Sequence, residues 1–138
     1  MGKSGKLVYR FRRRDEEMPK ILIADDAAFI RMKLKKVPEE LGLEVIEASN
    51  GAEAIQRFHE HNPALVLLDI TMPEMDGLNA LKSIMGKDPS ARVVMVSALG
   101  QESVVMQALQ LEAKDFVVKP FQPEQIKQVV QRWLPNSS

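Results

Sequence analysis

Residues 64–69 read Ala-Leu-Val-Leu-Leu-Asp, five apolar residues closed by a single carboxylate, and Ile70-Thr71-Met72-Pro73 come next. A short apolar run without polar alternation fits a strand buried on both faces, as in a parallel sheet covered by helices. Working outward, strand-like runs recur at Ile21–Ala24, Leu43–Ala48, Val93–Val96 and Phe116–Val118. Between and after them, helices are predicted over about 27–40, 51–61, 76–86, 101–111 and 123–134. In the last, Ile126, Val129, Val130 and Trp133 recur at three- and four-residue intervals, one apolar stripe for the sheet. Asn50 with Glu53 reads as a helix start with its capping-box partner. Pro38 is expected to kink or end the first helix near Lys36 or Val37. Five βα units joined by right-handed crossovers predict a doubly wound α/β fold, a three-layer sandwich.

The chain's 138 residues suit one domain. Its 45% apolar and 28% charged residues exclude a disordered chain, and the lack of cysteine excludes disulfides, thiolate catalysis and cysteine-based zinc sites. Lys plus Arg equal Asp plus Glu at 19 each, so no global charge excess points to nucleic acid or membrane. The apolar runs are too short for a membrane span, and no signal-peptide pattern is present, so a cytoplasmic protein is expected. The neutral total hides an asymmetry. Residues 1–17 carry six bases against three acids, leaving 13 against 16 in the remainder. Residues 1–17 are expected to be a flexible basic leader, an added extension or one read from an upstream start. A nucleic-acid-binding arm is the competing reading. Residues 18–138 are expected to form a single domain.

In open parallel sheets, ligands bind beyond the carboxyl ends of the strands. The residues just past each predicted strand are therefore informative. Asp25 and Asp26 come after the first, Asp69 closes the third, Ser97 the fourth, and Lys119-Pro120 the fifth; the second offers Ser49 and Asn50. Taken singly, an aspartate there is usually a helix cap, a serine a turn residue and a lysine solvated. Together they gather at one sheet edge. Three converging carboxylates repel one another, and a hard divalent cation such as Mg²⁺ resolves that conflict through oxygen ligands. A lysine and a hydroxyl nearby suit phosphoryl oxygens, and a carboxylate can itself be the nucleophile that becomes an aspartyl phosphate. Asp69, central in the sheet, is the candidate.

These same segments, Ile21–Asp26 (ILIADD), Leu67–Gly77 (LLDITMPEMDG), Val96-Ser97-Ala98 and Asp115–Phe121 (DFVVKPF), resemble the receiver domain of bacterial response regulators over about residues 19–134. The texture of DDAAFIR, SALGQES and KDFVVKPFQPEQ is most similar to stand-alone chemotaxis regulators of the CheY kind. The resemblance, not the periodicity, implies the flavodoxin-like strand order 2-1-3-4-5, for which CheY is itself a standard example. It implies Asp69 as acceptor of a phosphoryl group from a phosphohistidine. It implies Mg²⁺ held by Asp26, Asp69 and the Thr71 backbone carbonyl, with Asp25 acting mainly through water. Lys119 would contact the phosphoryl group, with Pro120 placing it through a cis peptide bond. Ser97 would be the switch hydroxyl and Phe116 the switch aromatic. Phosphorylation would shift a pre-existing equilibrium, read out on the surface of helix 4, strand 5 and helix 5. On helix 4, Val104, Val105, Ala108 and Leu111 are predicted to face the core, leaving Gln101, Glu102, Gln107 and Gln110 for partners.

The chain departs from the family at Glu112, where glycine is common and a left-handed conformation would be costly. Thr71 and Leu99 vary within the family and shape access of water to the phosphate; Leu99 offers nothing to orient it. A haloacid-dehalogenase-type phosphatase would want a second aspartate where Thr71 stands and a cap insertion. Dinucleotide and nucleoside-triphosphate binding lack their glycine-rich loops. His59 and His61, two apart on a helix, face different ways and are expected to be solvated. The eight methionines, among them Met32, Met72, Met75, Met85, Met95 and Met106, are expected to be mostly core filler at helical or strand positions.

The expectation is thus a signalling protein that catalyses only its own phosphorylation and dephosphorylation. A sensor histidine kinase or phosphotransfer protein would act upstream, and a protein target such as a motor switch protein downstream. No direct nucleic-acid contact or membrane insertion is expected. Competing readings are an intermediate carrier in a phosphorelay, a receiver domain excised from a larger regulator, and a binding module independent of phosphorylation.

Overall fold

The computed structural model describes residues 18–134; the basic leader expected at 1–17 lies outside the described residues. Five strands alternate with five helices: β1 Lys20–Ala24, α1 Ala28–Glu40, β2 Glu44–Ala48, α2 Gly51–His61, β3 Leu65–Asp69, α3 Gly77–Lys87, β4 Val93–Ser97, α4 Glu102–Gln110, β5 Asp115–Val118 and α5 Pro123–Trp133. The sheet is parallel throughout, in the order β2-β1-β3-β4-β5. This is the doubly wound α/β sandwich expected from the alternation.

Strand period two divides the core. Leu22, Val66, Leu68 and Met95 turn to one face, with Phe58, Leu81, Ile84 and Ala108 of α2, α3 and α4. Ile21, Ile23, Leu65, Leu67, Val94 and Val96 turn to the other, with Leu34, Ile126 and Val130 of α1 and α5. Both faces of β1, β3 and β4 are covered, so these strands read as unbroken apolar runs. The sheet edges differ. Along β2 only Ala48 is fully buried, and β5 buries only Val117, because each edge strand has a neighbour on one side alone.

Pro38 does not end α1. The helix runs on to Glu40, with Leu41 N–H donating to Val37 and Leu43 N–H to the Pro38 carbonyl. A proline this late removes one hydrogen bond, while the bonds C-terminal to it persist. Gly42, at φ +84°, then turns the chain into β2. Asn50 caps α2, accepting from Glu53 N–H at 2.8 Å, whereas Glu53 reaches back one residue further than a capping box requires, to Ser49 N–H at 2.6 Å. Val105 and Ala108 face the core as predicted, while Val104 and Leu111 are half-buried at its margin. Met95 and Met72 are core, but Met32 and Met106 are exposed and are not filler. Glu112 has φ +77°, the left-handed conformation that glycine would adopt without cost.

Candidate functional site

The register brings four strand ends to one edge. Asp25, just past β1, is wholly buried, and its N–H continues the ladder to Ala48. One carboxylate oxygen, Oδ1, accepts the Ala27 N–H at 2.9 Å. The other, Oδ2, has no partner of hydrogen-bond geometry, although the Lys119 ammonium lies 2.8 Å from it. Asp69 ends β3, is also buried, and stands 3.2 Å from the same ammonium. Asp26 is exposed at the cleft, and the three aspartates bring carboxylate oxygens within 4.8 Å of one another. Ser97, buried, ends β4 and accepts Lys119 N–H on its carbonyl at 2.7 Å, which ties the ends of β4 and β5 together. The Lys119–Pro120 peptide is cis.

Burial pushes the Asp69 carboxyl up to about 6, and the neighbouring charge of Asp25 adds to the rise; Lys119 only partly offsets them. Lys119 is the mirror case. Burial works against its charge, but Asp25 and Asp69 outweigh burial and hold the ammonium above its ordinary value. One cation thus faces three acids. Three carboxylates that bring hard oxygen donors within 4.8 Å of one another, with one ammonium to offset them, fit a small divalent cation and suit no soft metal.

Asp25, Asp26, Asp69, Lys119 and Ser97 are therefore brought together as the sequence anticipated. Thr71 lies exposed in the β3–α3 loop (70–76). Phe116 stands apart from the carboxylates. It is 42% exposed and lines an apolar groove of about 190 Å³ with Leu99, Val105, Met106, Leu109 and Val118, and buried Ser97 also lines it. Two further residues were not anticipated. Arg31 of α1 donates to the Asp25 carbonyl at 2.7 Å while its Nε holds Glu47 of β2 at 2.9 Å, so it fixes the loop carrying the acidic pair. Gln101, expected to be free for partners, bonds instead to Thr71 and Ala98. Neither carries a sequence signal, since both act through side-chain reach between segments distant in the chain. His59 is exposed, His61 is half-buried, and neither joins an acidic cluster among the described residues.

Comparison with known proteins converges on one family. The sequence model of the response regulator receiver domain matches residues 21–131. The chain is 52% identical to the chemotaxis protein CheY of Bacillus subtilis over 116 residues, 83% of this chain and 97% of that one. It is 47% identical to CheY of Thermotoga maritima over 114 residues, 82% of this chain and 95% of its relative. Among solved structures, the receiver domain of NtrX from Brucella abortus superposes with a TM-score of 0.79 at 32% identity, covering 83% of this chain and 97% of that one. A chain of the CheX–CheY–BeF₃–Mg²⁺ complex from Borrelia burgdorferi gives 0.78 at 39% identity, covering 85% and 90%. The fold, the acidic strand ends and these matches agree: the chain belongs to the response regulator receiver domain family.

Proposed function

We propose that this chain is a phosphorylation-switched response regulator in which Asp69 accepts a phosphoryl group from a phosphohistidine of a sensor kinase or phosphotransfer protein. The observation that carries the reading is one ammonium, Lys119, placed 2.8 Å from Asp25 and 3.2 Å from Asp69 at the mouth of three convergent carboxylates. A carboxylate oxygen of Asp69 attacks phosphorus, the P–N bond breaks, and the imidazole nitrogen leaves with the electron pair and takes up a proton. Lys119, already charged, meets the transferred oxygens without reorganisation. Asp26, Asp69 and the Thr71 carbonyl are the residues to hold Mg²⁺, with Asp25 behind them. Mg²⁺, when bound, supplies the positive charge that lets an anionic phosphoryl group approach an anionic cleft.

Ser97 then has a hydroxyl to offer the new phosphate, and its groove is the route to the surface. Movement of Ser97 opens or fills space beside Phe116, so the apolar face between α4 and β5 becomes the readout for a protein target. The similarity to CheY proteins favours chemotaxis-type signalling with a motor switch protein or related target, and that exposed groove favours protein docking over a purely intermediate role in a phosphorelay. No helix among the described residues is long and apolar enough to cross a membrane.

The test is intact mass after incubation with acetyl phosphate, in Mg²⁺ or in EDTA, on wild type and Asp69→Asn. A single Mg²⁺-dependent phosphoryl adduct, absent from the variant, is expected. Equal labelling of the variant would remove Asp69 from the role, and no adduct under any condition would leave a binding module independent of phosphorylation.

A further inference from the structure

The β4–α4 loop is fastened to the β3–α3 loop by a side chain placed for a different task. Gln101 is the N-cap residue of α4, and its carbonyl accepts Val105 N–H at 3.0 Å, yet its side chain caps no N–H of that helix. Instead Oε1 accepts from Ala98 N–H at 2.6 Å, and Nε2 donates to Thr71 Oγ1 at 2.8 Å. Register gives this bridge its place. Asp69 pairs with Val96, so Thr71 and Ala98 each lie two residues past a paired position on neighbouring strands. The amide therefore spans the two loops that leave the sheet beside Asp69.

Ala98 N–H is also the backbone donor next in the chain after buried Ser97. A donor at the carboxyl end of a parallel strand is what a new anionic oxygen on Asp69 requires. One N–H cannot serve a glutamine carbonyl and a phosphoryl oxygen equally well. The loop that carries it can re-form without moving the core: Leu99 is 75% exposed and Gly100 sits at φ +88°.

We propose that Gln101 is a latch. In the unphosphorylated molecule its amide occupies the Ala98 N–H and holds it to Thr71, and a tetrahedral anionic group on Asp69 displaces the amide by taking that N–H. Gln101 is then a positioning residue, setting how readily the switch loop responds. The inference rests on Asp69 as the phosphoacceptor and names the group that must first be released.

The experiment titrates the protein with beryllium fluoride and Mg²⁺ while following the ¹H–¹⁵N signals of the Ala98 N–H and the Gln101 side-chain amide. It uses wild type, Gln101→Met, Thr71→Val and the double variant. In wild type, both signals should move together with one half-saturating concentration. Gln101→Met should lower that concentration about three- to tenfold, the equivalent of one modest hydrogen bond broken in advance. Thr71→Val should lower it less, and the double variant should match Gln101→Met alone, because the two residues share one bond. Wild-type binding with the Gln101 amide unmoved, or an unchanged half-saturation in Gln101→Met, overturns the latch. A wild type that shows no Mg²⁺-dependent binding overturns the reading of Asp69 on which it rests. The wild-type arm needs no substitution, so a variant that fails to fold cannot rescue the idea.

Discussion

At the scale of single residues, Lys119 is the group on which the electrostatics of the cleft turn. It is the cation that lowers the Asp69 carboxyl against burial and the charge of Asp25. Lys119→Met should therefore move the Asp69 titration further above about 6, read by carboxyl ¹³C chemical shifts against pH. The Asp69 shift also has a consequence for stability. A carboxylic acid whose pKa rises on folding binds more protons folded than unfolded, so stability falls as pH climbs from about 4 through about 6. Asp69→Asn removes that loss. In EDTA at pH 7 the variant should be more stable than wild type by about 1–3 kcal/mol in urea denaturation, while it loses phosphoryl uptake. Glu112→Gly should stabilise by about 1 kcal/mol, since φ +77° suits glycine and not glutamate. These residues were legible because each comes directly after an apolar run or breaks a family pattern. Gln101 and Arg31 were not, because nothing in a linear sequence reports which loop a long side chain will reach.

Elements set the next level. Edge strand β2 is joined to α1 by Glu47, which receives both Arg31 and Lys35 at 2.9 Å. Hydrogen bonds from Lys35 and Arg31 hold the Glu47 carboxyl below its ordinary value, so its contribution is present above the unfolded pKa and lost as pH falls through the folded one. Glu47→Gln should accordingly flatten the decline in melting temperature below about pH 4.5, and leave stability near pH 7 lowered only slightly for a half-exposed pair. The alternation of strand and helix was plain in the sequence, yet the half-burial of β2 was not. Edge position depends on strand order, which the apolar pattern does not encode. Pro38 departs from its expected effect for a related reason: its local cost is real, but the last turn of α1 is held by bonds made further along the chain.

Over the whole molecule, helix α3 starts against the end of β3, and helix α2 against the β3–α3 loop, through glycines that leave no room for a side chain. A Cβ on Gly77 would collide with the Asp69 carbonyl, and one on Gly51 with the Met75 carbonyl. Gly77→Ala should therefore destabilise the fold by about 1–3 kcal/mol and displace the end of β3 that carries Asp69, whereas Ala at open Gly86 should be neutral or stabilising. Denaturant melts of the two variants side by side check this. The parallel sheet also sorts the connections into two poles. The turns at 41–43, 62–64, 88–92 and 111–114 all lie at the pole away from Asp25, Asp69, Ser97 and Lys119. Protein engineers can treat that far pole as editable ground: a reporter domain grafted into one of its turns, or new termini opened there, would leave the chemistry at the other end untouched.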